Sequence, residues 1–376
     1  MAQFFNRDAD RAKIWRYFNK LQSLLMLAPR RIGKTELLHQ LQREAGDHGF
    51  RAVVCDVEGC SEEKQFFREI CRAIEKEKGV SALWSNLTTR LGKLLHGSEA
   101  TPATWQQWLV HMDYKDFAEA LLEELNSDDS RWIVMVDEMP IFVLALLNGG
   151  ERQRTHDFLY WLRNLRQRYP KVLWLYTGSI GLDTVSRRED LEGAFNNMQP
   201  ITLPPFGETE ASEFLSILAQ RDGFALGDAG ISHILQRLGW LSPYYLEKLV
   251  DEIIPTGGNR DEACPEDIDR ACEALLSRGK QLYWSAWREH LNNNFKEPER
   301  GLLYQTLETI AKDPSGADFD TLLGVLSRSK PDLTERQLRH ALNVLESDGY
   351  LMADTERTQF RFLMELLRLW WLRYAV

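Results

Sequence analysis

The segment APRRIGKT, Ala28 to Thr35, follows the apolar run Leu24 to Leu27 and precedes a stretch with helical apolar spacing that begins at Glu36. Its spacing is G-x-x-x-x-G-K-[ST] with alanine in the first glycine position. In a strand–loop–helix setting that spacing forms a cradle for phosphate. The backbone N–H groups of Ile32, Gly33, Lys34 and Thr35 would converge at a helix N-terminus, where the helix dipole favours phosphate oxygens. Lys34 would then reach the β- and γ-phosphates of a nucleoside triphosphate, and the Thr35 hydroxyl would ligate Mg²⁺. Arg31 in the loop and Glu36 at the helix start complete the nucleotide-binding set. Arg30 and Arg31 either steer nucleotide or face solvent. Ala28 restricts the loop, because a methyl group disfavours positive φ, so this residue must take an α- or β-region conformation.

The second group of reactive side chains lies about 100 residues later, in WIVMVDEMP. The apolar residues Ile133, Val134, Met135 and Val136 read as a buried parallel strand that delivers Asp137 and Glu138 at its C-terminal edge, where open α/β sheets bind ligands. Asp137 would hold the Mg²⁺ and Glu138 would orient and polarise an attacking water. A third polar point is the end of VLWLYTGS. If its strand lies between those bearing GKT and DE, Thr177 or Ser179 could hydrogen-bond the γ-phosphate or the water; the alternative is a turn in which both serve as helix caps.

The elements that must position these groups follow from pattern. Over residues 1–205, apolar runs at 23–27, 51–57, 132–137, 172–177 and 199–203 alternate with amphipathic stretches at 63–77, 117–126 and 155–168. That alternation predicts repeated βα units and a mostly parallel sheet. Residues 79–112, with Trp84, Trp105 and Trp108, interrupt the scheme as an insertion or helical excursion between the second and third strands. Over residues 206–297 the candidate elements are all helical, at 208–222, 230–238, 243–254 and 266–292, which predicts a helical lid. Over residues 298–376, helices at 299–312, 319–327 and 335–347 precede two short strands at 350–354 and 359–363, with Asp348 and Gly349 breaking the third helix. Three helices and a hairpin in that order predict a winged helix. The terminal run FLMELLRLWWLRY reads as a packing helix.

The order FFNRDAD, APRRIGKTELL, WIVMVDE, LYTGS, ITLPPF and GWLSPYYL resembles the archaeal-type ATPases of the STAND/AAA+ group of P-loop NTPases, over nearly the whole chain. The resemblance implies an α/β P-loop core, a helical lid and a C-terminal winged helix. It also implies that Arg7, with Asp8, lies beside the adenine and ribose and that Pro243 of the lid contacts the base. This chain departs from the group where relatives often carry Gly-Arg: it has Ala194, Phe195, Asn196 and Asn197. Arg187 and Arg188 are the nearest replacements, and an arginine acting from a neighbouring subunit would make the protein a homo-oligomer.

The expected function is a Mg²⁺-dependent ATPase switch that couples nucleotide state to the lid, the winged helix and a protein partner encoded nearby. The alternative is a nucleotide-gated DNA-binding or adaptor protein with little turnover. A P-loop kinase fits less well, since Glu138 suits water activation. Lys and Arg number 46 against 56 Asp and Glu, a net charge of −10, which argues against a chain-wide nucleic-acid surface. Residues 1–51 carry ten basic against five acidic residues, a local positive handle near the loop. Residues 300–376 carry ten basic and eleven acidic, so Arg336, Arg339 and His340 on the third helix predict weak DNA binding at most. The five cysteines lack a C-x-x-C pair and read as isolated thiols. No apolar run approaches the roughly 20 residues of a membrane span, and MAQFFNRD is not a secretory leader, so the expectation is cytoplasmic.

Overall fold

The computed structural model describes residues 5, 7–94, 104–150, 152–178, 190–256 and 262–375. Contacts divide the chain into two units, Met1–Ala28 with Lys34–Leu203, and Pro29–Gly33 with Pro204–Val376.

The first unit is built on β1 (Leu24–Leu27), β2 (Phe50–Asp56), β3 (Arg131–Asp137), β4 (Val172–Gly178) and β5 (Gln199–Thr202). They form one parallel sheet in the order β2-β3-β4-β1-β5. Each expected strand is present to within a residue or so at its ends. β3 and β4 are buried along nearly their whole length rather than alternately. Helices cover the sheet, as a parallel sheet with continuous apolar strands requires. β4 lies between β3 and β1, so the strand ending in Thr177 separates the one ending in Asp137 from the one feeding the phosphate loop.

Residues 79–112, which interrupt the strand alternation, are helical where described. Helices Ser81–Leu94 and Trp105–His111 lead into Tyr114–Ser127. They belong to the same core: Leu87, Leu91, Trp105 and Trp108 are buried, and the rings of Trp84 and Trp105 stack at 6.0 Å. The apolar run after Glu138 forms a further helix, Met139–Asn148, which strand-centred reading passes over.

The second unit holds helices Glu208–Arg221, Asp228–Leu238 and Pro243–Glu252. The single helix expected over 266–292 is instead broken into Pro265–Leu275, a 3-10 turn at Arg278–Lys280 and Leu282–Asn294. Ser277 and Gly279 are poor helix formers, and the indole N–H of Trp284 donates to the Leu275 carbonyl at 3.0 Å, satisfying an end that a continuous helix would not have. Helices Glu299–Ala311, Phe319–Ser329 and Glu335–Ser347 follow. Beside them β6 (Ala317–Asp318), β7 (Leu351–Ala353) and β8 (Gln359–Phe362) form an antiparallel sheet in the order β6-β8-β7. β6 was not foreseen; two residues are too few for a periodic signal. The terminal run is a packing helix, Glu365–Tyr374, with Leu366, Leu367, Trp370 and Trp371 buried. None of the five cysteines is in a disulfide. Among the described residues no helix is long and apolar enough to cross a membrane.

Candidate functional site

The phosphate loop joins β1 to the helix Lys34–Glu44. Gly33 has φ +89°, a conformation that strains any residue with a Cβ, so the motif's second glycine is required by its backbone. Ala28, in the first glycine position, has no positive φ and is buried. The alanine therefore fits the loop as the sequence reading required. Its carbonyl accepts a hydrogen bond from the Lys34 ammonium at 3.1 Å, which folds the lysine back over the loop. Lys34, at 7% exposure, sits in the first turn of the helix, with Thr35 and Glu36 beside it on the solvent side.

Asp137 closes β3 at 4% exposure. The Thr35 hydroxyl donates to its Oδ2 at 2.7 Å, and the Thr177 hydroxyl of β4 donates to its Oδ1 at 2.8 Å. Residues 102 and 40 positions away in the chain thus meet on one carboxylate. Thr177 reaches it because β4 lies directly beside β3 in the parallel sheet. Glu138 has left-handed backbone dihedrals, φ 56° and ψ 36°, costly for a residue with a side chain, and its N–H donates to Asp137 Oδ1 at 3.0 Å. The turn is packed tightly as well. A Cβ on Gly178 would lie 2.1 Å from Cδ of Pro140, so glycine is required where the end of β4 passes the loop after Asp137.

Among the residues named from sequence, the structure gathers Thr35, Asp137 and Thr177, with Lys34 and Glu138 adjacent in the chain. Arg7 is buried with φ 74°, and its guanidinium pairs with Asp10 at 3.2 Å. Arg31, Ile32, Gly33 and Pro243 belong to the second unit. There Ser242, the residue before Pro243, donates its hydroxyl to the Arg31 carbonyl instead of capping its own helix. The Arg31 guanidinium lies 4.3 Å from the centroid of the Tyr244 ring, Arg31 has φ 65°, and Ile32 is fully buried. Arg30 reaches His290 Nδ1 at 3.2 Å. Both loop arginines therefore have protein partners, although Arg31 is also exposed, as the solvent-facing reading expects, while Arg30 is half-buried. Ser179, Arg187 and Arg188 lie outside the described residues. In the segment Ala194 to Asn197, buried Arg166 donates to the Ala194 carbonyl and, at 2.9 Å, to Asn197 Oδ1. On the helix Glu335–Ser347, Arg339 lies over Phe319 at 4.1 Å and His340 pairs with Glu299 at 3.0 Å.

The all-oxygen donor set of Thr35 and Asp137 suits a hard cation such as Mg²⁺. Among the described residues no group of three His, Cys, Asp or Glu side chains could hold a metal without further ligands.

The fold matches the Walker-type ATPase PAby2304 of Pyrococcus abyssi with a TM-score of 0.66 and 15% identity, over 98% of this chain and 95% of that one. This is a P-loop NTPase fold. The ORC2 protein of Aeropyrum pernix in its ADPNP-ADP complexes aligns with a TM-score of 0.43 and 15% identity, over 96% and 91% of the two chains. The Holliday junction branch migration motor RuvB of Thermotoga maritima gives 0.42 and 12%, over 94% and 91%. No protein-family model and no curated protein matches the chain.

Proposed function

We propose that the protein is a Mg²⁺-dependent ATPase of the STAND/AAA+ type, in which nucleotide state sets the position of a helical lid and a winged helix and, through them, engages a protein partner. The observation that carries this reading is the convergence of Thr35 and Thr177 on the two oxygens of Asp137, one residue from Lys34 and one from Glu138. In the proposed division, residues 1–205 are the core, 206–297 the lid and 298–376 the winged helix.

Lys34 leaves the Ala28 carbonyl to neutralise the β- and γ-phosphate oxygens, while the N–H groups of Ile32 to Thr35 cradle them. Thr35 and Asp137 would hold Mg²⁺, which supplies charge neutralisation on the phosphates when bound. Glu138 orients a water for in-line attack on the γ-phosphorus and takes up its proton. Thr177 fixes the rotamer of Asp137 and stands where a γ-phosphate or the water could share its hydroxyl. Arg7 and Pro243 are assigned to the nucleoside. PAby2304 is a Walker-type ATPase with the same fold, which supports the reading. Engagement of Arg339 by Phe319 and of His340 by Glu299 favours a protein partner over DNA.

Calorimetry with MgATP and a phosphate-release assay test the assignment. Lys34→Ala should abolish binding, whereas Glu138→Gln should retain binding and stop hydrolysis. ATP affinity unchanged in Lys34→Ala would overturn the site.

A further inference from the structure

A buried polar chain in the second unit ends on the phosphate loop. His290, on the helix Leu282–Asn294, is 4% exposed, and its Nε2 lies 2.9 Å from Oδ2 of Asp348. Asp348 is the C-cap of the helix Glu335–Ser347 and is itself 4% exposed. A carboxylate only accepts, so Nε2 carries the proton and Nδ1 presents a lone pair. Two donors point at that lone pair: the side-chain amide of Asn294 at 2.7 Å and the guanidinium of Arg30 at 3.2 Å. Asn294 lies on the same helix as the histidine, but Arg30 comes from a position 260 residues away, inside the motif that ends in Lys34 and Thr35. The Nε of Arg30 and the Oδ1 of Asp348 are buried and lack hydrogen-bond partners among the described residues. Groups left unsatisfied in this way are costly, and the chain is thereby less firmly closed than a fully paired one.

We propose that His290 is a positioning residue for the phosphate loop: as a neutral imidazole oriented by Asp348 it holds Arg30, and on protonation it lets Arg30 go. A proton on Nδ1 removes the acceptor and sets a cation against the guanidinium. Loss of that hydrogen bond and the new like-charge contact act in the same direction. The charged and titratable groups facing the ring are Arg30 from the loop, Asp348 from the end of the neighbouring helix and Tyr350 just beyond it, whose ring lies 6.3 Å away. Tyr350 does not take part in the exchange: burial holds its hydroxyl well above its usual range, and it donates to the Trp287 carbonyl. Burial likewise raises the Asp348 carboxyl, opposed by the bond from His290, by the charge of His290 when it is protonated and by the charge of Arg30, so the three side chains depend on one another. Arg30, once released, is free to meet an anionic phosphate, and nucleotide affinity should rise when His290 takes up a second proton.

The second half of this inference rests on the function proposed above, and the experiment separates the two. In the full chain labelled with ¹⁵N-glycine, the Gly33 amide resonance is followed from pH 5.5 to 8.5 without nucleotide. It should shift with pH in wild type, and the shift should vanish in Arg30→Met and in His290→Gln, which cannot be protonated. ATP affinity is then measured by calorimetry over the same range. Wild type should gain about tenfold toward acid relative to Arg30→Met, the size of one charge-assisted hydrogen bond; titration of ATP itself cancels in that ratio. A Gly33 resonance in wild type that ignores pH, or one that responds equally in Arg30→Met, would overturn the proposal. Absence of ATP binding at every pH would count against the nucleotide site, while the Gly33 measurement would still decide the role of His290.

Discussion

Asp137 and Asp348 are both carboxylates at 4% exposure and both end a regular element, yet their surroundings are built on different rules. Both oxygens of Asp137 are satisfied by neutral donors: the hydroxyls of Thr35 and Thr177 and the N–H of Glu138. Hydroxyls rotate freely, so Thr35 or Thr177 can give up its hydrogen bond to Asp137 and leave that oxygen to a cation at little cost. Asp348 pairs with the titratable His290 through one oxygen, while the other has no hydrogen-bond partner among the described residues. Its charge is already answered by the His290 and Arg30 chain. The first arrangement is ready to acquire a ligand; the second holds protein parts to one another.

The contrast can be broken most directly at Asp137. Asp137→Asn keeps the side-chain size and one acceptor oxygen, and the hydroxyl that faces the new NH2 can rotate to accept from it, so fold stability should change by no more than about 1 kcal/mol. ATP turnover should nevertheless fall by about 10²-fold or more, because the cation loses its protein charge. Turnover close to wild type, read in the phosphate-release assay, would mean that the neutral shell around Asp137 has no catalytic purpose.

The converse applies to the second carboxylate. His290→Ala leaves Asp348 buried without its main partner and should lower unfolding stability by about 3–5 kcal/mol. Thr177→Val removes only one of three neutral donors from Asp137 and should cost about 1 kcal/mol. Urea unfolding of the two variants measures the difference. Equal losses would show that both carboxylates are held in the same way.

A smaller effect, of opposite sign at two positions, sharpens the point that surroundings rather than burial decide how a carboxylate behaves. Burial also pushes Asp267 up, but bonds from the Cys264 N–H at 3.0 Å and the Thr256 hydroxyl at 2.8 Å prevail and hold it at about 2. Its folded value lies below the unfolded one of about 4. The stability it contributes is therefore present above pH 4 and lost as the pH falls toward 2. Asp348 is shifted up by its burial, so its contribution is complete below the ordinary carboxylate range and declines as the pH rises through its folded value. The stability advantage of wild type over Asp267→Asn should shrink from pH 5 to pH 3, and that over Asp348→Asn should shrink as the pH is raised. Parallel trends for the two variants would refute the assigned shifts.

Sequence alone determined what is local. The phosphate loop needs a strand, a few residues of fixed type and a helix start, all within about a dozen positions, so Gly33, Lys34 and Thr35 were legible. So was Asp137, because a wholly apolar strand with an acidic end has one sensible place in a parallel sheet. The five strands announced themselves by unbroken apolar runs. The break within 266–292 was weakly legible, since Ser277 and Gly279 mark it only once Trp284 is seen to close the end of the preceding helix.

Tertiary structure decided which distant groups meet. That Thr177 bonds to Asp137 follows from strand order, which fixes β4 beside β3 and which no residue in either strand encodes by itself. The need for glycine at position 178 depends on Pro140 arriving 2.1 Å from where a Cβ would stand. Ser242 was in view only as the neighbour of Pro243, and the serine–proline start of a helix normally signals a cap; its hydroxyl goes instead to the Arg31 carbonyl. His290 left no sequence signal, because a lone histidine on a helix is an ordinary helix residue, and Asp348 signalled only the end of a helix before Gly349. They acquire a role through burial and a pairing across 58 positions, with Arg30 reaching the same ring from 260 positions away. Hydrogen bonds of that span are fixed by packing of whole helices, whereas motif spacing reports only the backbone geometry of one turn.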